Sequence, residues 1–278
     1  MQLRPDQLRQ YETDGYLFFE NLFTPREMEL LREHAFSETM TRSHGAKLEE
    51  GTSVVRMLRG IHLDDPLFDR LTRHPRLLVP SRQISNEDVY LYQTRVVVKA
   101  GWEGKPFTLY PWHQDFSTWY LMDRMTAPKP VVIGVFLDEI TACNAPLMVV
   151  PRSHTRGLLA RSTTDPDPLG TGQIVMDASM MRSLVSEGGL RALTGPPGST
   201  FFMHANLVHA SNENITPLRR AILYVVYNPL SNRCQSARAD YFAPPSSDPL
   251  VPLGDDCLFE STLPLAPRSG ERVARSAG

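Results

Sequence analysis

The pattern of apolar and polar positions changes character about a third of the way along the chain. Over the first 40 residues it carries helix signals. PDQLRQYETDG opens on a proline, runs through helix formers and stops on a glycine, and the short apolar run Tyr16-Leu17-Phe18-Phe19 follows. Thr24-Pro25-Arg26-Glu27 then supplies a capping threonine, a proline at the first helical position and a glutamate at the third, which predicts an amphipathic helix over 28–36. A further helix is expected over 65–78, ending before Pro80.

From about residue 87 the texture becomes β-branched and aromatic. The runs DVYLYQTRVVVKA, PVVIGVFLDEI, APLMVVP, GSTFFMHANLVHA and RAILYVVYN are punctuated by Gly, Pro, Asn and Asp at strand spacing. Helices first and strands after predict an α+β fold. Its core is a double-stranded β-helix (a cupin-like jelly roll) over about 87–230, with the N-terminal helices packed on one sheet. TRGLLARSTTDPDPLGTGQ marks 156–190 as a lid insertion, and 244–278, rich in Pro, Ser and Gly, reads as a loosely ordered tail. No internal repeat interrupts a single domain spanning 1–278.

Composition narrows the function. The chain has 278 residues, 41% hydrophobic and 22% charged, which suits a globular protein with an ample core. A formal net charge of −2 gives no reason to expect nucleic acid or an anionic membrane as partner. Cys143, Cys234 and Cys257 lack metal-knuckle spacing and read as reduced thiols, Cys143 as a packed one. There is no signal-peptide pattern, and no apolar run reaches the ~18 residues of a membrane span. The expectation is a cytoplasmic protein acting on a small molecule as a monomer or homodimer.

The chemistry concentrates in PWHQDFSTW, residues 111–119. On a strand, His113 and Asp115 would point the same way, roughly 6–7 Å apart. Alone, a His-x-Asp pair is weak. His209, closing FFMHANLVH, offers a third ligand, and two imidazoles with one carboxylate leave positions open for a co-substrate and O2, which suits non-haem Fe(II). An Asn- and Pro-rich turn follows and should fold Arg220 back beside His209, where a guanidinium can grip a carboxylate bidentately. Triad plus arginine is what a 2-oxoacid dicarboxylate requires. Other polar residues read as structural. His154 ties a loop, His204 faces away from His209, Asp138 and Glu139 end a strand, and Trp112 belongs to the core. Gln93 divides evenly between a satisfied barrel amide and a functional one.

These motifs, WHQDFSTW, His209-Ala-Ser-Asn-x-Asn-Ile-Thr-Pro and the arginine eleven residues after the histidine, resemble the phytanoyl-CoA dioxygenase superfamily of Fe(II)/2-oxoglutarate oxygenases. The likeness spans roughly 7–230 and leans towards ectoine hydroxylases and L-proline 4-hydroxylases. Pro151-Arg-Ser-His154 and the N-terminal QYETDGYLFFENLFTPREMELLREH share it. The resemblance implies that His113, Asp115 and His209 bind iron and that Arg220, rather than its neighbour Arg219, pairs with the far carboxylate of 2-oxoglutarate, assisted by Ser211. It implies that Gln93 and Trp119 contact substrate. Val97 stands where such enzymes carry an asparagine that helps hold the co-substrate, so Thr94 or Lys99 would serve instead.

Residues 120–125, YLMDRM, replace a more acidic segment, which argues against ectoine or proline itself as substrate. Retention of Asp115 favours hydroxylation over halogenation, since halogenases of this fold lose that carboxylate. Trp119, Tyr120 and Phe116 would form an aromatic wall for a compact substrate, a free or modified (cyclic) amino acid or a natural-product intermediate. Two other readings stand beside this one. One is a hydroxylase of a larger carrier- or CoA-bound acid guided by Arg152, Arg156 and Arg161. The other is a cupin-like module that holds a metal without oxidising anything.

Overall fold

Local capping chemistry sets the helices. The computed structural model describes residues 1–103, 109–159, 176–234 and 247–260. Helix α1 (Pro5–Asp14) stops where Gly15 turns left-handed at φ 81°. Helix α2 (Pro25–Ala35) opens on a reciprocal cap: Glu27 N donates to Thr24 Oγ1 at 3.3 Å, and Thr24 N donates to Glu27 Oε2 at 2.7 Å. Short helices α3 (Glu38–Thr41) and α4 (Ile61–Asp64) lead to α5 (Pro66–Thr72) and α6 (Pro75–Ser85). The helix expected over 65–78 is therefore two, broken where His74 caps the second, and α6 runs through Pro80 to Ser85. Pro80 lacks only one donor, and burial of its ring beside Leu77 and Leu78 holds the helix together across it.

The strands are β1 (Tyr16–Phe19), β2 (Ala46–Leu48), β3 (Val55–Arg59), β4 (Val89–Lys99), β5 (Tyr110–His113), β6 (Val131–Phe136), β7 (Leu147–Val149), β8 (Arg191–Leu193), β9 (Thr200–His204), β10 (His209–Ser211) and β11 (Arg220–Pro229). All pair antiparallel, in a seven-stranded sheet ordered β1-β9-β6-β11-β4-β3-β2 and a four-stranded sheet ordered β5-β10-β7-β8. Period-two alternation divides the large sheet between two cores. Val96, Val98, Val225 and Tyr227 face the N-terminal helices, with Leu31, Leu71 and Leu77. Val97, Ile222 and Val226 face the small sheet, with Leu147, Val149 and Leu193. This is the expected cupin-like α+β architecture, with helices on one face of the large sheet and the small sheet on the other.

One irregularity in β4 matters for the site. Gln93 pairs with Val226 but Leu91 pairs with Tyr227, so Tyr92 is an extra residue on its strand. The bulge lets Tyr90 and Tyr92 on one side, and Val97 on the other, face the same inter-sheet core despite opposite parity.

Three expectations change. Residues 247–260 lie within the tail read as loosely ordered, yet they pack on the helices. Leu250 N donates to Val89 O at 3.0 Å, Leu253 N to Arg73 O at 2.9 Å, and Cys257 and Leu258 are buried. Apolar residues spaced through a Pro-rich stretch supply that docking. Cys143 is exposed rather than packed, because it sits in the turn between Thr141 and Asn144. Of the 156–190 insertion, residues 160–175 lie outside the described residues. Its other end forms helix α8 (Ala178–Gly188), whose Met181 and Leu184 pack against Val150 and Val208. Among the described residues no helix is long and apolar enough to cross a membrane.

The turn between β10 and β11 docks on the end of β4. Asn214 Nδ2 donates to Lys99 O at 3.1 Å and to Leu218 O at 2.7 Å, and Trp102 N donates to Thr216 O at 3.2 Å. Gly101 makes the approach possible. Its φ is 70°, and a Cβ there would lie 2.1 Å from Thr216 O. Gly101→Ala should therefore cost about 2 kcal/mol. The check is a lower urea midpoint with an unchanged slope.

Candidate active site

His113 closes β5, and Asp115 opens helix α7 (Asp115–Asp123), with Gln114 in extended conformation between them. The pair is thus not two positions on one strand. The chain turns from strand to helix inside the motif, and this brings His113 Nε2 to 3.8 Å from Asp115 Oδ1. A carboxylate in the first turn of a helix is also favoured by the backbone dipoles. His209 lies opposite His113 in the β10–β5 pairing, its Nε2 3.9 Å from the same Asp115 oxygen. One ligand atom from each residue falls within 4.8 Å of the others, and all three residues are buried.

The imidazoles are oriented by their own backbone. His113 Nδ1 donates to Pro111 O at 2.6 Å and His209 Nδ1 to Leu207 O at 2.9 Å. With the proton on Nδ1, each Nε2 keeps a bare lone pair towards Asp115, the arrangement a metal ligand needs. Burial pushes His209 down to about 4, with His113 acting in the same direction and Asp115 opposing, so the ring is neutral at pH 7. Burial by itself would raise the Asp115 carboxyl. Its neighbours His113, His209 and Arg95 outweigh it and hold the group well below the usual carboxylate range. Asp115 Oδ2 makes no hydrogen bond among the described residues. Two bare nitrogens and an ionised carboxylate fit a divalent transition metal with open positions.

At the other end of the cavity stands Arg220, the first residue of β11, 1% exposed. Its Nε and Nη2 have no hydrogen-bond partner among the described residues. Lys99 is its neighbour across β4, and Lys99 Nζ crosses to the small sheet, donating to Ser211 O at 3.2 Å and to Asn212 O. The Tyr110 ring lies 5.4 Å from Lys99 Nζ and 5.9 Å from the Arg56 guanidinium. Tyr110 Oη and Arg56 Nε are buried without a hydrogen-bond partner among the described residues. Two guanidiniums, the Lys99 amine and a hydroxyl converge there, which suits a carboxylate taken out of water. Arg219 points the other way, bidentate on Asp138 at 2.8 and 2.9 Å and stacked over Phe36.

The remaining candidates divide. Gln93 faces the cavity, its Oε1 accepting from Arg95 Nη1 at 3.0 Å. Phe116 and Trp119 are buried on α7, Trp119 edge-on to Tyr92 at 5.4 Å, and the Tyr92 hydroxyl donates to Asp123. Tyr120 is half exposed on the outer side of the same helix, with Leu121 and Met122. Thr94 turns to the helix-covered face, its hydroxyl 2.7 Å from His62 Nδ1, and is not brought together with Lys99 or Arg220. Arg152 and Arg156 are engaged with Glu187 at a surface turn, and Arg161 lies outside the described residues. His154 does tie a loop, its Nε2 bonded to Glu12 O at 3.1 Å.

Sequence reasoning passed over Arg95, whose Nη2 lies 3.6 Å from Asp115 Oδ2 and whose guanidinium covers the Tyr224 ring at 4.9 Å. Alternation from Gln93 would have found it, since positions 93, 95, 97 and 99 share one face. Tyr224 follows Arg220 on the matching face of β11 in the same way.

A family model described as phytanoyl-CoA dioxygenase matches residues 11–222. The ectoine dioxygenase of Bordetella parapertussis is 36% identical over 241 residues, 83% of this chain and 77% of that protein. The L-proline trans-4-hydroxylase of Streptomyces griseoviridis is 32% identical over 259 residues, 89% and 95% of the two chains. Among solved structures, EctD from S. alaskensis with bound Fe superposes at a TM-score of 0.77 with 28% identity, covering 91% of this chain and 87% of that one. The same enzyme with 2-oxoglutarate and 5-hydroxyectoine gives 0.75 and 29%, covering 88% and 86%.

Lys99 gives a measurable signature of the basic end. Burial, then Arg220, push its ammonium down to about 6 from the ordinary 10.5. The unfolded chain therefore binds the extra proton between these values, and folding is penalised fully below about 6, less and less as pH rises towards 10.5. Lys99→Met should stabilise the protein without co-substrate at pH 6.5, and the gain should shrink by pH 9. Urea midpoints of both proteins at the two pH values measure it.

Proposed function

Because the chain belongs to the phytanoyl-CoA dioxygenase family, we propose that His113, Asp115 and His209 hold its iron and that Arg220 anchors its co-substrate. The chain is an Fe(II)- and 2-oxoglutarate-dependent dioxygenase that hydroxylates a small molecule. The observation that supports the site assignment is the convergence of two bare imidazole nitrogens on a buried, ionised carboxylate. When bound, Fe(II) supplies the oxidising power: O2 and 2-oxoglutarate are consumed, succinate and CO2 leave, and a C–H bond becomes C–OH.

The chain's own groups do the rest. Arg220 presents two unpaired N–H donors to the far carboxylate of 2-oxoglutarate, with Lys99 and Ser211 beside it. That cluster serves where the family's asparagine is Val97. His113 and His209 turn Nε2 to the metal, while the backbone carbonyls of Pro111 and Leu207 accept from Nδ1 and orient the rings. Arg95 lies beside Asp115 and Gln93, facing the substrate end, and would position an acidic group of the substrate while Trp119 and Phe116 shield the target carbon from water.

The substrate we propose is a free or modified amino acid, cyclic like those the relatives' names indicate, carrying a carboxylate for Arg95. Tyr120, half exposed, would meet it at the mouth of the cavity. The enzyme would work as one domain in the cytoplasm, as a monomer or homodimer, without nucleic acid or membrane. Its near-zero net charge accords with that.

Purified protein with Fe(II), 2-oxoglutarate and a panel of cyclic amino acids should release succinate and yield a product heavier by one oxygen. His113→Ala and Asp115→Ala should abolish both, and turnover unaffected by either would sink the assignment. Arg220→Ala should raise KM for 2-oxoglutarate by about 30–1,000-fold, the equivalent of about 2–4 kcal/mol for one partner of a buried charge pair. An unchanged KM would remove Arg220 from the role.

A further inference from the structure

Between the two ligands of the strand-to-helix corner sits Gln114, whose side chain does not face the metal. It is completely buried. Its Nε2 donates to Gly157 O at 2.9 Å and to Asn206 O at 2.7 Å, and its Oε1 accepts from Leu159 N at 2.9 Å. The three partners belong to two separate segments. Asn206 lies three residues before His209, in the stretch that delivers the third ligand. Gly157 and Leu159 follow the 3₁₀ turn at Ser153–Arg156. One planar amide therefore bridges the His113–Asp115 corner, the approach to His209 and the 157–159 segment.

The residue type is dictated by this bridge. Two carbonyls must receive two N–H donors, and one backbone N–H must find an acceptor in the same plane, which an amide supplies and a carboxylate or thioether does not. The reverse amide orientation would aim an oxygen at two carbonyl oxygens, so the network fixes the assignment. Backbone bonds join the same parts less directly: Phe116 N donates to Ala205 O at 3.0 Å, and Val208 N to Ser153 Oγ at 2.8 Å.

From this geometry we propose that Gln114 is a positioning residue for the metal centre, fixing the corner that carries His113 and Asp115 against the segment that carries His209. The proposal rests on reading those three residues as the metal site. Separation of the ligands is the quantity at stake. Asp115 is held on a helix and His209 on a strand of the small sheet, and Gln114 is the side chain that ties one to the approach of the other. Loss of an outer-shell partner of this kind lowers metal affinity by roughly 10–100-fold while leaving every ligand in place.

The test is anaerobic calorimetric titration of the full chain with Zn(II), a closed-shell stand-in for Fe(II), well below the melting temperature of every variant. Wild type should bind one equivalent, and failure to bind would overturn the triad reading itself. Gln114→Met keeps the volume and removes all three hydrogen bonds. Gln114→Glu keeps the acceptor for Leu159 N and sets an oxygen against two carbonyls. Both should bind Zn(II) about 10–100-fold more weakly. A merely structural role predicts a lower melting temperature with an unchanged Kd, and that result would overturn the inference. Should neither variant fold, wild type still decides. The amide of Leu159 should exchange hydrogen about tenfold more slowly with Zn(II) bound, because the bridge transmits the metal's constraint, and equal exchange rates would overturn the proposal.

Discussion

Asp115 has to be ionised, buried and unclaimed by a strong cation at the same time, and the site is built around meeting those demands together. A buried carboxylate ordinarily gains a proton or collapses onto an arginine. Here two imidazoles stand 3.8 and 3.9 Å from one carboxylate oxygen, and Arg95 approaches the other to 3.6 Å without closing a hydrogen bond. Backbone carbonyls take the Nδ1 protons of both rings, and burial disfavours a second proton on His209. His209 and Asp115 therefore have no proton to give up to a metal at pH 7.

The two ends of the cavity are kept apart by the same sheet that joins them. On β4 and β11 the inward positions run from Arg220 and Lys99 at one end, through Ile222 and Val97, to Tyr224 and Arg95 beside Asp115. An apolar pair thus separates two cationic zones, so an extended dianion can engage one without being drawn wholly into the other. Lys99, which reaches across to the backbone of Ser211 and Asn212, also sews the large sheet to the small one at the basic end.

The helices and strands were legible because caps and period-two alternation are local signals. Thr24 with Glu27, Gly15 after α1, and the runs that became β4, β6 and β11 each declare themselves within a few residues. The convergence of His113, Asp115 and His209 could be anticipated because residues of ligating chemistry stand at telling spacings in the sequence. What escaped was set by tertiary context. Asp115 lies in a helix because the chain turns at Gln114, and no alternation rule foresees that corner. Thr94 and Lys99 were equal candidates in one dimension, but strand parity sends the first to His62 and the second to Arg220's side. Residues 247–260 read as tail by composition, yet a few apolar anchors spaced along a Pro-rich stretch are enough to dock on α5 and α6.

The extra residue at Tyr92 acts as a frame boundary within a single strand. Residues 93–99 keep one pairing frame with β11, while Tyr90 and Leu91 keep another, offset by one. A length change on the Tyr90 side of the bulge is absorbed by it, whereas the same change on the other side would swap Arg95, Val97 and Lys99 for their outward neighbours. Register on the two sides of the bulge is therefore editable separately, although one β-strand carries both frames.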